Sequence, residues 1–227
     1  MSAKSRKSTK RAFPQGRDAP RPKRTRRKRY LVVGNGEVTE RQYFDELKPM
    51  YQGVVIHYVS KQFSPGALAQ FAAERMKHGD DGGGDPYAKV WVVIDVDQFK
   101  AADLSRAERT CRENGLELVV SNPCFEVWLL DHKTPCPPNV TQTKDAEAAA
   151  AKARMTEGKR QKYIVPGAVT EASVRNAVAN AAKHNTEGHR RIRIRLAEES
   201  RLNFAPWTDM PDVIEELGRH ALGNRIP

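Results

Sequence analysis

From Tyr30 onward, short apolar runs alternate with segments whose apolar residues recur every three or four positions, the two periods that separate strands from helices. Tyr30-Leu-Val-Val-Gly34 predicts a buried strand, and Thr39 to Met50 a helix with Tyr43, Phe44 and Leu47 on one face and Thr39 as its N-cap. Val54-Val-Ile-His-Tyr-Val59 predicts a second strand. Ser64 and Pro65 open a helix running to about Lys77, because serine before the first turn and proline within it are start signals. Val90-Trp-Val-Val-Ile94 is the most apolar run and too short for a typical helix, so it predicts a central strand buried on both faces. A helix over residues 103–114 stops at Gly115, and Leu116-Glu-Leu-Val-Val120 predicts a fourth strand.

This alternation implies an α/β fold: a parallel sheet joined by right-handed crossovers, with helices on both faces and ligands at the carboxyl ends of the strands. Three polar segments follow strands directly and should converge on one rim: Asn35-Gly-Glu-Val-Thr-Glu40, Asp95-Val-Asp97 and Ser121-Asn-Pro-Cys-Phe-Glu126. Beyond His132 the prolines Pro135, Pro137 and Pro138 lead into helical patterns over residues 144–154, 169–184 and 213–222. The expected organisation is a tail over 1–29, an α/β core over 30–132 and a helical appendage over 133–227 that packs on the core.

Charge separates the tail from the body. Residues 1–29 hold 13 of the 39 basic residues and one of the 28 acids, Asp18, which leaves the remainder nearly balanced although the whole chain carries +11. Few apolar residues and three prolines make this tail a disordered basic segment, either a solvating extension or an arm for nucleic-acid phosphates. No apolar run approaches the roughly 20 residues of a transmembrane helix, and the basic N-terminus lacks the apolar stretch of a secretion signal. Cys111, Cys124 and Cys136 are odd in number and form no C-x-x-C, so a reducing cytoplasm is the expected compartment.

Asp95 and Asp97, two apart at a strand end, present both carboxylates to one side if the chain stays extended. Two such acids repel unless a cation joins them, and a hard divalent ion, Mg²⁺ or Mn²⁺, suits all-oxygen ligands. Glu37, Glu40 and Glu126 offer further oxygens from neighbouring strand ends, whereas a bare D-x-D otherwise caps a helix or lines a turn. The expected metal ligands are Glu37, Asp95 and Asp97, with Glu37 or Glu126 positioning an attacking water and Asn35, Glu40 and His132 on the rim. His132 reads either as a general acid or as a satisfied residue at a helix end, and Cys124 as a structural thiol rather than an activated one. Arg190, Arg191, Arg193 and Arg195 alternate with Ile192 and Ile194 like a strand or a strongly amphipathic element with one basic side, either a nucleic-acid grip or a face bridged to Glu198 and Glu199.

Three blocks carry a family resemblance: Leu31-Val-Val-Gly-Asn-Gly-Glu-Val-Thr-Glu-Arg-Gln-Tyr-Phe44, Val93-Ile-Asp-Val-Asp-Gln-Phe99 and Ser121-Asn-Pro-Cys-Phe-Glu-Val-Trp-Leu-Leu-Asp-His132. They resemble the signature blocks of the RloB-like (AbiLii-type) family, and Asn203-Phe-Ala-Pro-Trp-Thr208 extends the resemblance towards the C-terminus. The resemblance implies a Toprim-like sheet and a metal-dependent nuclease acting on RNA, including tRNA, or on DNA. It also implies antiphage abortive-infection defence, often beside an ATPase partner. One departure stands out: the family reads Glu-Gly-Glu where this chain has Asn35-Gly36-Glu37. An amide ligates through oxygen but brings no charge and accepts no proton, so the competing expectation is a catalytically inactive nucleic-acid-binding or sensor subunit that regulates the ATPase.

Overall fold

The alternation along the strands divides their side chains between two helical layers. In the computed structural model, which describes residues 27–78, 85–96, 99–196 and 203–220, the first half runs β1 (Lys28–Gly34), α1 (Thr39–Leu47), β2 (Val54–Ser60), α2 (Pro65–His78), β3 (Lys89–Asp95), α3 (Ala101–Asn114) and β4 (Glu117–Asn122). The four strands are parallel, in the order β2-β1-β3-β4. The expected parallel sheet flanked by helices is therefore present.

Tyr30 and Val32 of β1, with Trp91 and Val93 of β3, face one core together with Tyr43, Phe44 and Leu47 of α1. Leu31, Val33, Val90, Val92 and Ile94 face the other, against Leu68, Ala69 and Ala72 of α2 and Leu104, Ala107 and Cys111 of α3. Since a strand's side chains alternate, apolar residues at every position of a parallel strand require a cover on each face. Stacked Tyr30 and Trp91 rings, 5.0 Å apart, tie β1 to β3 on the first face. Helix α3 ends as expected, on Gly115 with φ 67°, a left-handed conformation that glycine adopts without penalty.

The second half runs α4 (Glu126–Asp131), α5 (Thr143–Lys152), β5 (Thr156–Glu157), β6 (Tyr163–Ile164), α6 (Glu171–His184), α7 (Glu187–Arg193), β7 (Trp207–Thr208) and α8 (Met210–Gly218). It is more than a helical appendage. Strand β7 pairs antiparallel with β4 through Ser121 and Asn122, which makes the C-terminal region the fifth strand of the sheet. Val174, Ala177 and Ala181 of α6 and Val213, Ile214 and Leu217 of α8 complete the first core. A two-residue strand has no periodicity to read, which is why the sequence pattern missed it.

Two expectations are corrected here and one alternative is decided. Of the two forms open to the Arg190–Arg195 segment, it is helical through Arg193 and not a strand, because Thr186 caps it by accepting from the His189 amide and Glu187 sits in the first turn. Thr39 does not cap α1; its hydroxyl donates to the Lys162 carbonyl instead. Strand β1 begins at Lys28, two residues before Tyr30. The basic tail over residues 1–26, and the acids Glu198 and Glu199, lie outside the described residues.

A buried polar link fixes α4 to α6. Asp131, fully enclosed, accepts from the Cys136 amide through Oδ1 and lies 2.8 Å from His184 Nε2 through Oδ2, while Asn180 donates to its carbonyl. Burial raises the Asp131 carboxyl, and the His184 contact works against that rise. Removing one member of a buried pair leaves an uncompensated polar group. His184→Ala should therefore cost about 3 kcal/mol in urea unfolding, and a loss below about 1 kcal/mol would show that the pair does not hold the layers together.

Candidate active site

The strand register decides which groups meet at the carboxyl edge of the sheet. Gly34 pairs with Val93, and Asp95 with Ser121, so the ends of β1, β3 and β4 lie side by side. Asp95 ends β3, Glu126 begins α4 just past β4, and Glu40 lies in the first turn of α1 just past β1. The convergence expected from the chain's alternation brings these three acids to one rim.

Glu40 and Glu126 are both buried. Glu40 is pushed up to about 7, first by burial and then by the Glu126 charge, against the opposing pull of its own backbone amide and of Lys162. Space for its carboxylate comes from Gly36: a Cβ there would stand 1.8 Å from Glu40 Oε2. The Gly36 carbonyl accepts from the Tyr58 hydroxyl at 2.7 Å, and the Asn35 carbonyl from the Gln62 amide at 2.7 Å, so the turn after β1 is held from β2 and the loop beyond it. Asp95 stands near enough for its charge to act on both the Cys124 thiol and the Tyr58 hydroxyl.

Lys162 was not anticipated. The β5–β6 hairpin docks on α1 through the Thr39 hydroxyl on the Lys162 carbonyl and the Ile164 amide on Gln42 Oε1. That docking places Lys162 Nζ 3.5 Å from Glu126 and 3.0 Å from Glu147. Burial by itself would lower this ammonium, but the charges of Glu126, Glu147 and Glu40 outweigh it and raise it above its ordinary value. No spacing signal ties Lys162 to residues 36 and 122 positions away; only the docked hairpin does.

The other expected site residues divide. Asn35 is half-buried on the rim, whereas Glu37 is exposed and Asp97 lies outside the described residues. Among the described residues no three His, Cys, Asp or Glu side chains stand close enough together to hold a metal ion. His132 does not reach the rim. It is 1% exposed, with Nδ1 2.9 Å from Ser173 Oγ and its ring edge-on to Tyr43 and Trp128. Burial lowers its imidazole to about 3, so it is neutral at ordinary pH and unsuited to proton donation. Cys124 is a structural thiol, raised well above its ordinary value by burial and by the Glu126 and Asp95 charges.

Three of the four arginines have side-chain partners. Arg193 pairs with Asp209 at 2.7 Å and caps the Leu118 carbonyl, Arg191 pairs with Glu187, and Arg190 lies over the Trp207 ring. Arg190 and Arg193 line a cleft of about 730 Å³ with Lys89, Glu117 and Asp209. Lys89 and Glu117 are the first residues of β3 and β4, and Trp207 and Thr208 of β7 also line the cleft, so it runs along the β4–β7 side of the sheet.

The chain belongs to the RloB-like protein family, which matches residues 30–217 and so takes in all of the sheet but the first two residues of β1, the acidic rim and most of α8. No curated protein and no solved structure matches it significantly.

The buried Glu40 carboxyl has a pH signature. The native chain retains a proton up to about pH 7 that an ordinary glutamate releases near 4.5. Within that window the native state binds more protons than the unfolded state, so stability falls as pH rises and levels off above it. Glu40→Gln removes the penalty. In chelator, urea unfolding should show variant and wild type similar near pH 4.5 and the variant more stable by up to about 3 kcal/mol at pH 8; a pH-independent difference would contradict a buried ionisable carboxyl at this position.

Proposed function

We propose that this RloB-like protein is a metal-dependent nuclease with a Toprim-like core, hydrolysing phosphodiester bonds of RNA, with tRNA one candidate, or of DNA. Its setting would be cytoplasmic antiphage defence by abortive infection, alongside an ATPase partner. The observation that carries the reading is the opposition of Glu40 and Glu126, two acids held out of water beside Asp95 at the carboxyl edge of a parallel sheet. α/β enzymes concentrate ligand sites at that edge.

The donors fit a hard cation in kind, all of them carboxylate oxygens around a turn where Gly36 leaves room. Asp95 and Glu126 would hold the ion, with Asp97 as a further candidate, and Glu40 would stay uncoordinated beside them. When bound, Mg²⁺ or Mn²⁺ would supply a polarised water and charge stabilisation on the phosphoryl oxygens. The chain's own groups do the rest. Glu40, poised near neutrality, accepts or returns a proton at its carboxylate. Lys162 restrains the Glu126 carboxylate and would offer a positive charge to a phosphate bound at this rim.

Asn35 supports the second reading, an inactive nucleic-acid-binding or sensor subunit, because it removes a charge from the place where the family resemblance leads one to expect glutamate. The two readings separate on variants incubated with total RNA and plasmid DNA in Mg²⁺, Mn²⁺ or chelator. Asp95→Ala combined with Asp97→Ala, and Glu126→Gln alone, should each fold and lose at least about 100-fold of the cleavage rate. Asn35→Glu should raise cleavage if the site is a weakened enzyme. Undiminished cleavage and phage restriction in the double variant would overturn the nuclease reading.

A further inference from the structure

The β5–β6 hairpin that delivers Lys162 also presents chemistry that the acid site does not use. Lys152, Arg154, Lys159, Arg160 and Lys162 lie within eleven residues that contain one acid, Glu157. Lys152, Arg154, Lys159 and Arg160 are all exposed. Gly158, Arg160 and Gln161 have φ of 72°, 57° and 54°, so the turn reverses tightly and projects its basic side chains outward. Tyr163 follows, 47% exposed, one of four large hydrophobic side chains at the surface among the described residues. Its ring rests against Gly158, where an added Cβ would stand 2.9 Å from Cδ2, so the turn itself props the ring in place. Its chain neighbour Lys162 reaches Glu126, so the hairpin turn adjoins the acidic rim.

A supported, solvent-facing aromatic ring set among basic side chains is complementary to a strand that offers both phosphates and unstacked bases. A duplex offers the phosphates but hides its base faces in the stack. We infer that the β5–β6 hairpin is a single-strand-binding arm, with Tyr163 stacking on an unpaired base and Lys159 and Arg160 contacting flanking phosphates, so that the acid site takes single-stranded nucleic acid. This specifies the substrate class of the proposed nuclease and rests on that reading for its catalytic meaning. The binding itself can be measured without catalysis.

The test uses the full chain in chelator with fluorescently labelled twelve-nucleotide RNA and DNA, single-stranded and as duplexes, followed by anisotropy. Tyr163→Ala should weaken single-strand binding about tenfold while leaving duplex binding unchanged, and Tyr163→Phe should bind like wild type because the ring suffices. Lys159→Ala combined with Arg160→Ala should reduce the slope of log affinity against log salt by about 1.4 for single strands. Matching thermal melts establish that the variants fold. Undiminished single-strand binding by Tyr163→Ala, an equal loss on duplexes, or no single-strand binding by wild type would overturn the inference. Cleavage that survives loss of Asp95 and Asp97 would sink the nuclease reading while a Tyr163-dependent single-strand affinity still upheld the arm.

Discussion

Two carboxyl groups held out of water next to one another impose a cost that the surrounding residues must offset, and the architecture around Glu40 and Glu126 is organised by that requirement. Burial pushes Glu40 up to about 7, so that one of the pair can stay neutral near physiological pH. Lys162 supplies the compensating charge, and it does so from a hairpin more than thirty residues further along the chain than Glu126. Gly36 gives the Glu40 carboxylate its space, and Tyr58 secures the turn that Gly36 occupies. A site arranged in this way stores electrostatic tension that a cation or a proton can relieve, which is a common condition of catalytic carboxylates.

The sheet explains why the tension sits at this edge. Strands β1 and β3 are apolar on both faces and are covered by α1, α6 and α8 on one side and α2 and α3 on the other. Polar groups therefore have no place along the strands and collect where they end. The parallel register aligns three of those ends, so acids far apart in sequence share one rim. Along the outer edge of β4, Arg193 and Asp209 satisfy backbone groups, with Arg193 on the Leu118 carbonyl and Asp209 on the Val120 amide. Arg193 is thus occupied structurally, whereas the hairpin brings a basic side chain, Lys162, to the acids.

The C-terminal half is part of the same folding unit as the core. Its residues complete the first hydrophobic layer, add an antiparallel strand beside β4, and lock α6 to α4 through Asp131 and His184. Delivery of Lys162 depends on this integration: the Thr39 and Gln42 side chains dock the hairpin on α1 at the first turn, where Glu40 resides.

The chain's periodicities by themselves determined the four parallel strands, the helices between them, the Gly115 stop and the grouping of Asn35, Glu40, Asp95 and Glu126 on one edge, because burial on two faces writes itself into local apolar spacing. The RloB-like family came separately, from the resemblance of three sequence blocks that lie at those strand ends. Tertiary structure alone decided which acid is buried, Glu40 rather than exposed Glu37, since their difference lies in how the first turn of α1 meets Gly36. It placed His132 in the core against Ser173, and it paired Trp207 and Thr208 with β4. It also brought Lys162 to Glu126. The last three depend on contacts between segments tens of residues apart, and such contacts leave no trace in the spacing of neighbouring residues.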